Sequence, residues 1–269
     1  MDKNNINEIV TKATNGDKTA LNDVIKSIEK LVYNLSIKML WNIDEAKDAS
    51  QEILIKIITN LSNFKGKSTF TTWVYRIATN YLLTYLSKST KIETMSFDAL
   101  SESLADGILA DNGFNENLGE QNLLVQEIKI GCTNGMLQCL DINSRATYIL
   151  GDILNFNSIE GANIQNISPE TFRKRLSRAR EQLFAFMQTN CGIAQPKNNC
   201  RCKKQIGHCV STNKVNPKKL LYATNGEDFR LLESINLADD TVKLFKTNPD
   251  YEMPEKEIEE LKRILGISQ

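Results

Sequence analysis

The stretch Phe64–Leu83, FKGKSTFTTWVYRIATNYLL, carries the pattern on which the predicted fold depends. From Phe70 onward its apolar residues recur at intervals of three and four, which is the spacing of a helix that buries one face. Ser68 or Thr69 can cap the first turn, and neither proline nor glycine interrupts the pattern before Lys88. The sequence therefore predicts one long amphipathic helix in this stretch.

The opposite face of this helix is chemically mixed. It carries hydroxyls, an amide, an aromatic ring and a cation, from Thr72, Tyr75, Arg76, Thr79 and Asn80. A short basic loop, residues 65–67, leads into the helix. Separated DNA strands need cations for phosphates, aromatic faces for stacking and short polar groups for unpaired base edges. The face therefore fits unpaired DNA, and an ordinary solvated face is the alternative that the helix alone leaves open.

A second helix is predicted just upstream, over residues 44–62, with Asp44 as its cap. Its alanines, isoleucines and leucine recur at helical spacing and predict a buried stripe. Asp48 and Glu52 lie on another side, four residues apart. By themselves they read as an acidic pair on a solvated face, mildly repulsive to each other.

Residues 48–80, DASQEILIKIITNLSNFKGKSTFTTWVYRIATN, resemble region 2 of bacterial RNA polymerase sigma factors of the extracytoplasmic-function (ECF) type. The resemblance implies that a face formed by Asp48, Gln51, Glu52 and Ile55 binds the clamp of the polymerase's largest subunit. It also implies contacts that recognise and melt the −10 promoter element. That set is Lys65, Lys67, Ser68, Thr69, Thr72, Trp73, Tyr75, Arg76, Thr79 and Asn80.

A second DNA-binding pattern lies at residues 168–183, SPETFRKRLSRAREQL. Ser168 as the cap and Pro169 at the first helical position are a strong helix start, and five cations follow within eight residues. A short helix over 158–164 and a turn precede it, so the pattern predicts a helix-turn-helix that places its second helix in the major groove.

The segment from Ile167 to Arg180 resembles sigma region 4, with Phe172 where the family has a small aliphatic residue. The resemblance implies contact with the flap of the polymerase's second-largest subunit. It further implies recognition of the −35 element by Glu170, Thr171, Arg173, Lys174, Arg175 and Arg178.

Between the two modules the chain is acidic. No Lys or Arg occurs between Lys91 and Lys129, whereas eight Asp or Glu residues do. Several glycines, asparagines and serines accompany them, so the composition predicts a linker with little packing of its own. The resemblance implies that this linker threads a polymerase channel.

A cysteine cluster follows the second module. Cys191, Cys200, Cys202, His208 and Cys209 lie within 19 residues, and His208 is the only histidine of the chain. Thiolates and imidazole suit tetrahedral zinc, so one Zn²⁺ bound through Cys191, Cys200, Cys202 and either His208 or Cys209 is one hypothesis. A redox-active thiol cluster and plain reduced cysteines are the alternatives. Beyond the cluster, the chain predicts amphipathic helices, the last beginning at Pro254 and Glu255.

Composition sets broad limits. The 269 residues carry 33 basic and 33 acidic side chains, so any DNA binding depends on local charge and not on a basic excess. No apolar run reaches membrane-spanning length and the N-terminus does not resemble a signal peptide, so we expect a cytoplasmic protein without membrane insertion, with reduced cysteines.

These patterns together predict an all-α protein in four parts. They are a region 2 domain over 1–90, an acidic linker over 91–122, a region 4 helix-turn-helix over 123–189, and a Cys-rich basic segment with a helical extension over 190–269. The predicted function is a sigma factor that binds core RNA polymerase and promoter DNA, is not an enzyme and requires no cofactor. The alternatives are a polymerase-independent repressor and a zinc or thiol enzyme built on residues 191–209. The sequence leaves open the promoter, the inducing signal, a separate anti-sigma factor and the role of residues 211–269.

Overall fold

The computed structural model describes residues 3–89, 95–109, 118–223 and 242–267, and every element of regular structure in them is helical. One isolated bridge between Cys191 and Cys200 is the sole strand-like pairing in these ranges. The predicted all-α fold class is confirmed. The helices are α1 Lys3–Thr14, α2 Lys18–Leu40, α3 Ile43–Thr59, α4 Phe70–Lys88, α5 Phe97–Leu109, α6 Leu118–Cys139, α7 Ile142–Tyr148, α8 Ser158–Gln165, α9 Pro169–Asn190, α10 Ile206–Ser211, α11 Val242–Lys246 and α12 Glu255–Ile264. Short 3-10 turns occupy Leu61–Asn63 and Cys202–Gln205, and a π-helical turn follows α7 at Ile149–Ile153.

Two compact units account for the described residues. The first contains residues 3–89, 149–175 and 250–267, and its core forms where α2, α3 and α4 pack together. The central side chains of that core are fully buried, among them Ile25, Ile53, Ile57 and Leu82. This packing buries the apolar stripes that the sequence predicts for these helices.

The second unit contains residues 95–109, 118–148, 176–223 and 242–249. Here α5, the 3-10 turn Cys202–Gln205 and α10 all pack against α6. A small apolar cluster joins α6 to the segment after α9. Its members are Leu124, Val125, Ile128, Ile206 and Val215, with Cys202, Cys209, Val210 and Leu220 packed against them.

Side chains that precede α2 and α4 cap the first turns of these helices. Asp17 caps α2 by accepting from the backbone of Thr19 and Ala20, and Thr69 caps α4 by accepting from Thr72 N. The cap of α3 was predicted wrongly. Asn42 accepts from the backbone N–H groups of residues 44 and 45, so Asp44 lies inside the first turn, where its charge favours the helix N-terminus.

The expectation that the linker packs little was wrong for the part that the structure describes. Residues 97–109 of the predicted linker form α5, and Gln205 Nε2 donates to the Leu104 carbonyl of α5 at 2.8 Å. Helix α6 runs unbroken through Gly131 and Gly135. Glycine inside a helix costs only about 1 kcal/mol, which burial of the surrounding apolar residues outweighs.

None of the helices in the described residues has both the length and the apolar character needed to cross a membrane.

Candidate nucleic-acid interface

An open groove of about 980 Å³ lies between the end of α3 and the outer face of α4. Trp73 and Asn80 from the predicted DNA-binding set line it. Its other lining residues are Lys56, Asn60, Asn63, Ile77, Tyr81, Thr84, Tyr85, Lys88 and Ser89. The groove thus combines two cations at its rim with an indole, two phenols and several amides, which is the chemistry of a surface for unpaired bases.

Trp73 is held in place by two other aromatic rings. Phe64, from the loop before α4, lies 5.6 Å from Trp73 and 5.3 Å from Phe70, and Phe70 stacks on Trp73 at 5.8 Å between centroids. Phe70 is buried, whereas Trp73 remains half-buried. The cluster fixes the indole on one side and leaves its other side at the groove, so little ordering is needed to present it to a ligand.

A second recess, of about 360 Å³, lies beside the loop that leads into α4. Asn7 and Thr11 of α1 face Ser62, Phe64 and Lys65 of the loop across it. The predicted contacts Lys65 and Lys67 are exposed in this loop. The recess therefore has a partly polar lining and lies next to two exposed cations, of which Lys65 donates to the Ser62 carbonyl at 2.8 Å.

Three residues predicted to contact the −10 element are not accessible in this structure. Thr72 is 5% exposed, Tyr75 is 4% exposed and Thr79 is fully buried. The reason is α8, which packs against this face of α4, and Phe156, whose ring meets Tyr75 edge-on at 5.2 Å. Burial raises the pKa of the Tyr75 phenol far above its ordinary value. The prediction that this whole face is open is therefore wrong for this conformation.

The other predicted −10 contacts lie at or near the surface. Thr69 and Asn80 are exposed, and Ser68 and Arg76 are half-buried. The Nε atom of Arg76 is buried and has no hydrogen-bond acceptor among the described residues.

The residues predicted to bind polymerase all lie on α3. Asp48 and Glu52 are exposed, and Gln51 and Ile55 are half-buried beside them. Two tyrosines of α4 border the acids. The pKa of Tyr81 is raised mainly by burial and further by the charge of Glu52. The pKa of Tyr85 is likewise raised mainly by burial and further by the charge of Glu45. The face is thus an acidic, apolar and aromatic surface.

The helix-turn-helix forms as the sequence predicts. Asn157 and Glu160 make a capping box at the start of α8. Asn166 ends α8 in the left-handed region at φ 55°, which asparagine tolerates better than most residues. Ser168 Oγ then accepts from Thr171 N and caps α9.

Phe172 fits because the facing helix has a glycine. Phe172 is fully buried, and a Cβ at Gly161 of α8 would lie 2.3 Å from its ring. Gly161 thus provides the space for a side chain that is larger than the family's usual residue at this position.

The cations of α9 are available at its surface. Arg173, Lys174 and Arg178 are exposed, whereas Arg175 and Thr171 are half-buried. Glu170 is exposed and pairs with Lys174 at 2.8 Å, and Arg173 Nη1 donates to Ser158 Oγ at 3.4 Å. Exposed ion pairs of this kind are weak, so phosphate can replace them.

Sequence reasoning missed several residues of the groove. Lys56, Asn60 and Asn63 come from α3 and the turn after it, and Tyr85 and Lys88 from the last turns of α4. A polar rim on α3 next to aromatic residues on α4 was a usable signal. All of them lie outside residues 65–80, from which the predicted −10 contacts come.

The structure does not assemble the predicted zinc site. Residues 191–209 are all described, and no three His, Cys, Asp or Glu side chains in the described ranges could hold a metal ion. All six thiols are free. Burial raises the pKa of the Cys132 thiol on α6, and the four cysteines of the cluster, Cys202, Cys191, Cys200 and Cys209, raise it further. Cys132 therefore lies near that cluster. The sequence did not indicate this fifth cysteine.

The segment after α9 is ordered by packing and hydrogen bonds. Cys202 and Cys209 pack against the apolar cluster on α6. The Glu127 carboxylate accepts from the backbone N–H groups of Leu221, Tyr222 and Ala223 at 2.8, 2.9 and 2.6 Å. The segment can order itself by burial because α6 supplies the other half of its core.

Comparison with known proteins gives a family match over the first helical module. The family Sigma-70 region 2 matches residues 24–92. The ECF RNA polymerase sigma factor SigW of Bacillus subtilis (strain 168) is 29% identical over 186 residues, which cover 66% of this chain and 94% of SigW. The RNA polymerase sigma-H factor of Pseudomonas aeruginosa is 25% identical over 181 residues, covering 67% and 93% of the two chains. The ECF RNA polymerase sigma-E factor of Escherichia coli (strain K12) is 27% identical over 176 residues, covering 65% and 90%.

Two solved structures also resemble the chain. CnrH in complex with the cytosolic domain of CnrY aligns with a TM-score of 0.47 at 18% identity, over 67% of this chain and 96% of CnrH. The sigma factor RpoE of Bartonella quintana, in complex with the anti-sigma factor NepR, aligns with a TM-score of 0.43 at 18% identity, over 62% and 95%.

The region 2 match and three sigma-factor relatives, each covered over at least 90% of its own length, lead to the same conclusion. Residues 24–92 match the Sigma-70 region 2 family, and over about two thirds of its length the chain is similar to RNA polymerase sigma factors, two of which are named as extracytoplasmic-function factors.

Proposed function

We propose that this sigma factor binds core RNA polymerase through the exposed face of α3 and directs initiation by holding one separated promoter strand in the groove between α3 and α4. The observation that carries the proposal is the groove itself. It joins Trp73 to the rim cations Lys56 and Lys88 within one open cavity of about 980 Å³. A stacking platform flanked by cations suits a single strand better than a duplex, whose bases are already stacked.

The −10 contacts within this proposal are those that the structure leaves accessible. Trp73 offers a face for one base, and Asn80 offers donors and acceptors to its edge. Lys65 and Lys67 lie in the exposed loop, and the recess beside Lys65 has the polar lining that an extruded base requires.

Polymerase binding is assigned to Asp48, Gln51, Glu52 and Ile55. Two exposed acids beside half-buried apolar and aromatic groups suit a reversible partner with a basic surface, because charge speeds the encounter and the apolar atoms add affinity. Contacts with the clamp and the flap of the polymerase, and regulation by a separate anti-sigma factor, stay predictions.

Reading of the −35 element is assigned to α9. The exposed Arg173, Lys174 and Arg178 form a basic surface near the start of a helix that follows a tight turn. In helix-turn-helix proteins the N-terminal part of this second helix meets the base edges. We therefore propose that Glu170, Thr171 and Arg175 also face the major groove.

The groove is tested with the variants Lys56→Ala and Trp73→Ala, and with Lys203→Ala as the control. Lys203 is exposed and lies outside every surface described above. Promoters are first identified by transcription of genomic DNA with core polymerase and the wild-type protein. Permanganate footprinting on one such promoter then measures strand opening.

We expect Trp73→Ala to lower promoter opening by about 1–3 kcal/mol, the contribution of stacking one base on an aromatic side chain. Core binding and duplex binding should be unchanged, and Lys203→Ala should behave as wild type. Normal opening by both groove variants would place the single strand elsewhere.

A further inference from the structure

The C-terminal strap, residues 250–267, packs on the first unit. Its helix α12 lies against α3, with Leu261 fully buried and Met253 4% exposed. Lys18 Nζ of α2 donates to the Gly266 carbonyl at 2.9 Å near the end of the strap. The strap is thus anchored at several points along α2 and α3.

The first residues of the strap are extended and meet one asparagine of α2. Asn34 Nδ2 donates to the Tyr251 carbonyl at 2.8 Å, and Tyr251 N donates to Asn34 Oδ1 at 2.9 Å. Both backbone groups of one residue are therefore satisfied by a single side-chain amide. This pairing recognises extended backbone and is independent of the side chain at position 251.

Two lysines of α2 add a preference for acids. Lys30 Nζ pairs with Glu252 at 2.8 Å, and Lys38 Nζ lies 3.8 Å from Asp250. Lys30 and Lys38 flank Asn34 at one turn on either side, which matches the alternation of acids along the extended segment. The face therefore has the features of a site for an extended peptide of the pattern acid–any residue–acid.

The strap packs on the first unit less favourably than the segments of a permanent core pack on each other. Lys38 is only 6% exposed, and burial lowers its pKa although Asp250 opposes the shift. Glu29 Oε2 is buried with no hydrogen-bond partner among the described residues, and burial followed by Glu252 raises its pKa. A carboxylate oxygen covered without a hydrogen-bond partner, as at Glu29, is costly, so this cover is one that the protein can release.

The strap also borders the proposed polymerase-binding face. Glu257 of α12 lies near enough to Lys47 of α3 to influence it electrostatically. Gln51 follows Lys47 by one turn on the same side of α3, and its Nε2 is buried with no hydrogen-bond partner among the described residues. Gln51 belongs to the proposed polymerase contacts, so the strap and the polymerase meet at the same edge of α3.

We propose that the outer face of α2, centred on Lys30, Asn34 and Lys38, is a peptide-binding site that the chain's own strap occupies, and that the strap and core polymerase exclude each other. The second half of this statement rests on the function proposed above. The chain is then a sigma factor that carries its own competitor, and activation requires displacement of the strap.

The test uses full-length variants with the same substitution on two faces of α12. Leu261→Asp places a charge at a fully buried anchor, whereas Ile264→Asp changes a residue that is 54% exposed. Trypsin cleavage after Lys262 measures release of the strap, and fluorescence anisotropy measures affinity for core polymerase. Asp250→Arg, at a side chain that is 63% exposed, releases the strap by repelling Lys38 and guards against misfolding of the first variant.

We expect Leu261→Asp and Asp250→Arg to release the strap and to bind core about tenfold more tightly, because affinity rises with the fraction of binding-competent protein. Ile264→Asp should match wild type in both measurements. A released strap with unchanged or weaker core binding would overturn the exclusion.

The peptide site has its own readout. A fluorescent peptide of residues 248–267 should bind the Leu261→Asp variant, and should bind neither wild type, whose site is occupied, nor Leu261→Asp combined with Asn34→Ala. Equal binding to all three would contradict the site. If no variant binds core polymerase, the proposed function is wrong. The peptide-binding measurement still shows whether the face around Asn34 is a peptide-binding site.

Discussion

At the scale of single residues, the Phe172–Gly161 pair shows how a departure from the family pattern is accommodated. The large ring is fully buried against a helix that offers no Cβ at the point of contact. A side chain at Gly161 must move the ring or the helix, since interiors are packed without spare volume. The two positions should therefore be energetically coupled.

We expect Gly161→Ala to destabilise the protein by about 1–3 kcal/mol through overpacking, despite alanine's better helix propensity. Thermal or urea unfolding measures the change. Combining Gly161→Ala with Phe172→Leu should recover most of the loss, because the smaller side chain leaves room for the methyl group. Simple additivity of the two substitutions would show that the contact is not tight.

The cysteines give a second residue-scale prediction. Burial raises the pKa of Cys202 to about 12 and that of Cys139 to about 11. Thiols, and not thiolates, therefore fill these positions at neutral pH, and the thiolate is the reactive form. Iodoacetamide should modify Cys202 far more slowly in the native protein than in urea at pH 7.5, as read by mass spectrometry.

The same shifts fix the direction of the pH dependence. Because the folded pKa of Cys202 lies above the ordinary value of 9.0, its contribution to stability is complete below pH 9.0. That contribution is lost as the pH rises from there towards about 12. In the iodoacetamide experiment, rapid modification of Cys202 in the native protein at pH 7.5 would mean that the packing around Cys202 opens readily.

At the scale of elements, α4 shows why an amphipathic pattern leaves part of a helix undecided. Its apolar stripe packs on α2 and α3 as expected, and a second side packs on α8 and, through Tyr75, on Phe156 in the segment before α8. Only the third side, with Trp73 and Asn80, borders the open groove. A substitution at Tyr75 therefore tests packing, whereas one at Trp73 tests the groove.

The acidic pair of α3 is tested by Asp48→Lys with Glu52→Lys. Like charges across an interface are strongly unfavourable, so core affinity should fall by about tenfold or more, or about 1.4 kcal/mol. Both residues are exposed, so the free energy of unfolding should change by less than about 0.5 kcal/mol.

Helix α5 offers a matched control for this pair. Asp98 and Glu102 are also exposed acids four residues apart. Changing both to lysine adds the same charge away from α3 and should leave core binding nearly unaltered. An equal loss of affinity in the two double variants would point to overall charge and not to the α3 face.

At the scale of the whole molecule, the segment after α9 is part of a core and not an appendage. Residues 202–220 cover Leu124, Val125 and Ile128 of α6, which are 2–6% exposed. A chain ending at Thr189 leaves that apolar surface open to water. A chain ending at Pro249 keeps it covered and also keeps Thr247, which accepts from Lys129 at 3.0 Å.

We expect the chain ending at Thr189 to unfold at a lower temperature than the chain ending at Pro249 and to bind the dye ANS, which reports exposed apolar surface. Circular dichroism gives the first measurement and fluorescence the second. Identical unfolding of the two chains would mean that residues 190–249 add no stability.

The amino-acid sequence by itself determined the helices and most of their caps. Thr69, Asp17 and Ser168 act through groups two or three residues away, and Phe70 and Leu82 follow the helical period, so the information lies within one segment. The family was also recognisable, because residues 48–80 carry their pattern in one continuous order.

Tertiary structure alone decided which polar faces are open and which distant segments meet. Tyr75 is buried because Phe156, 81 residues later, packs on it, and Cys132 joins a cysteine cluster that begins at Cys191. Asn34 pairs with Tyr251 across 217 residues of chain. Such contacts depend on how several helices share a limited core, and local periodicity carries no information about the partner that a second face will find.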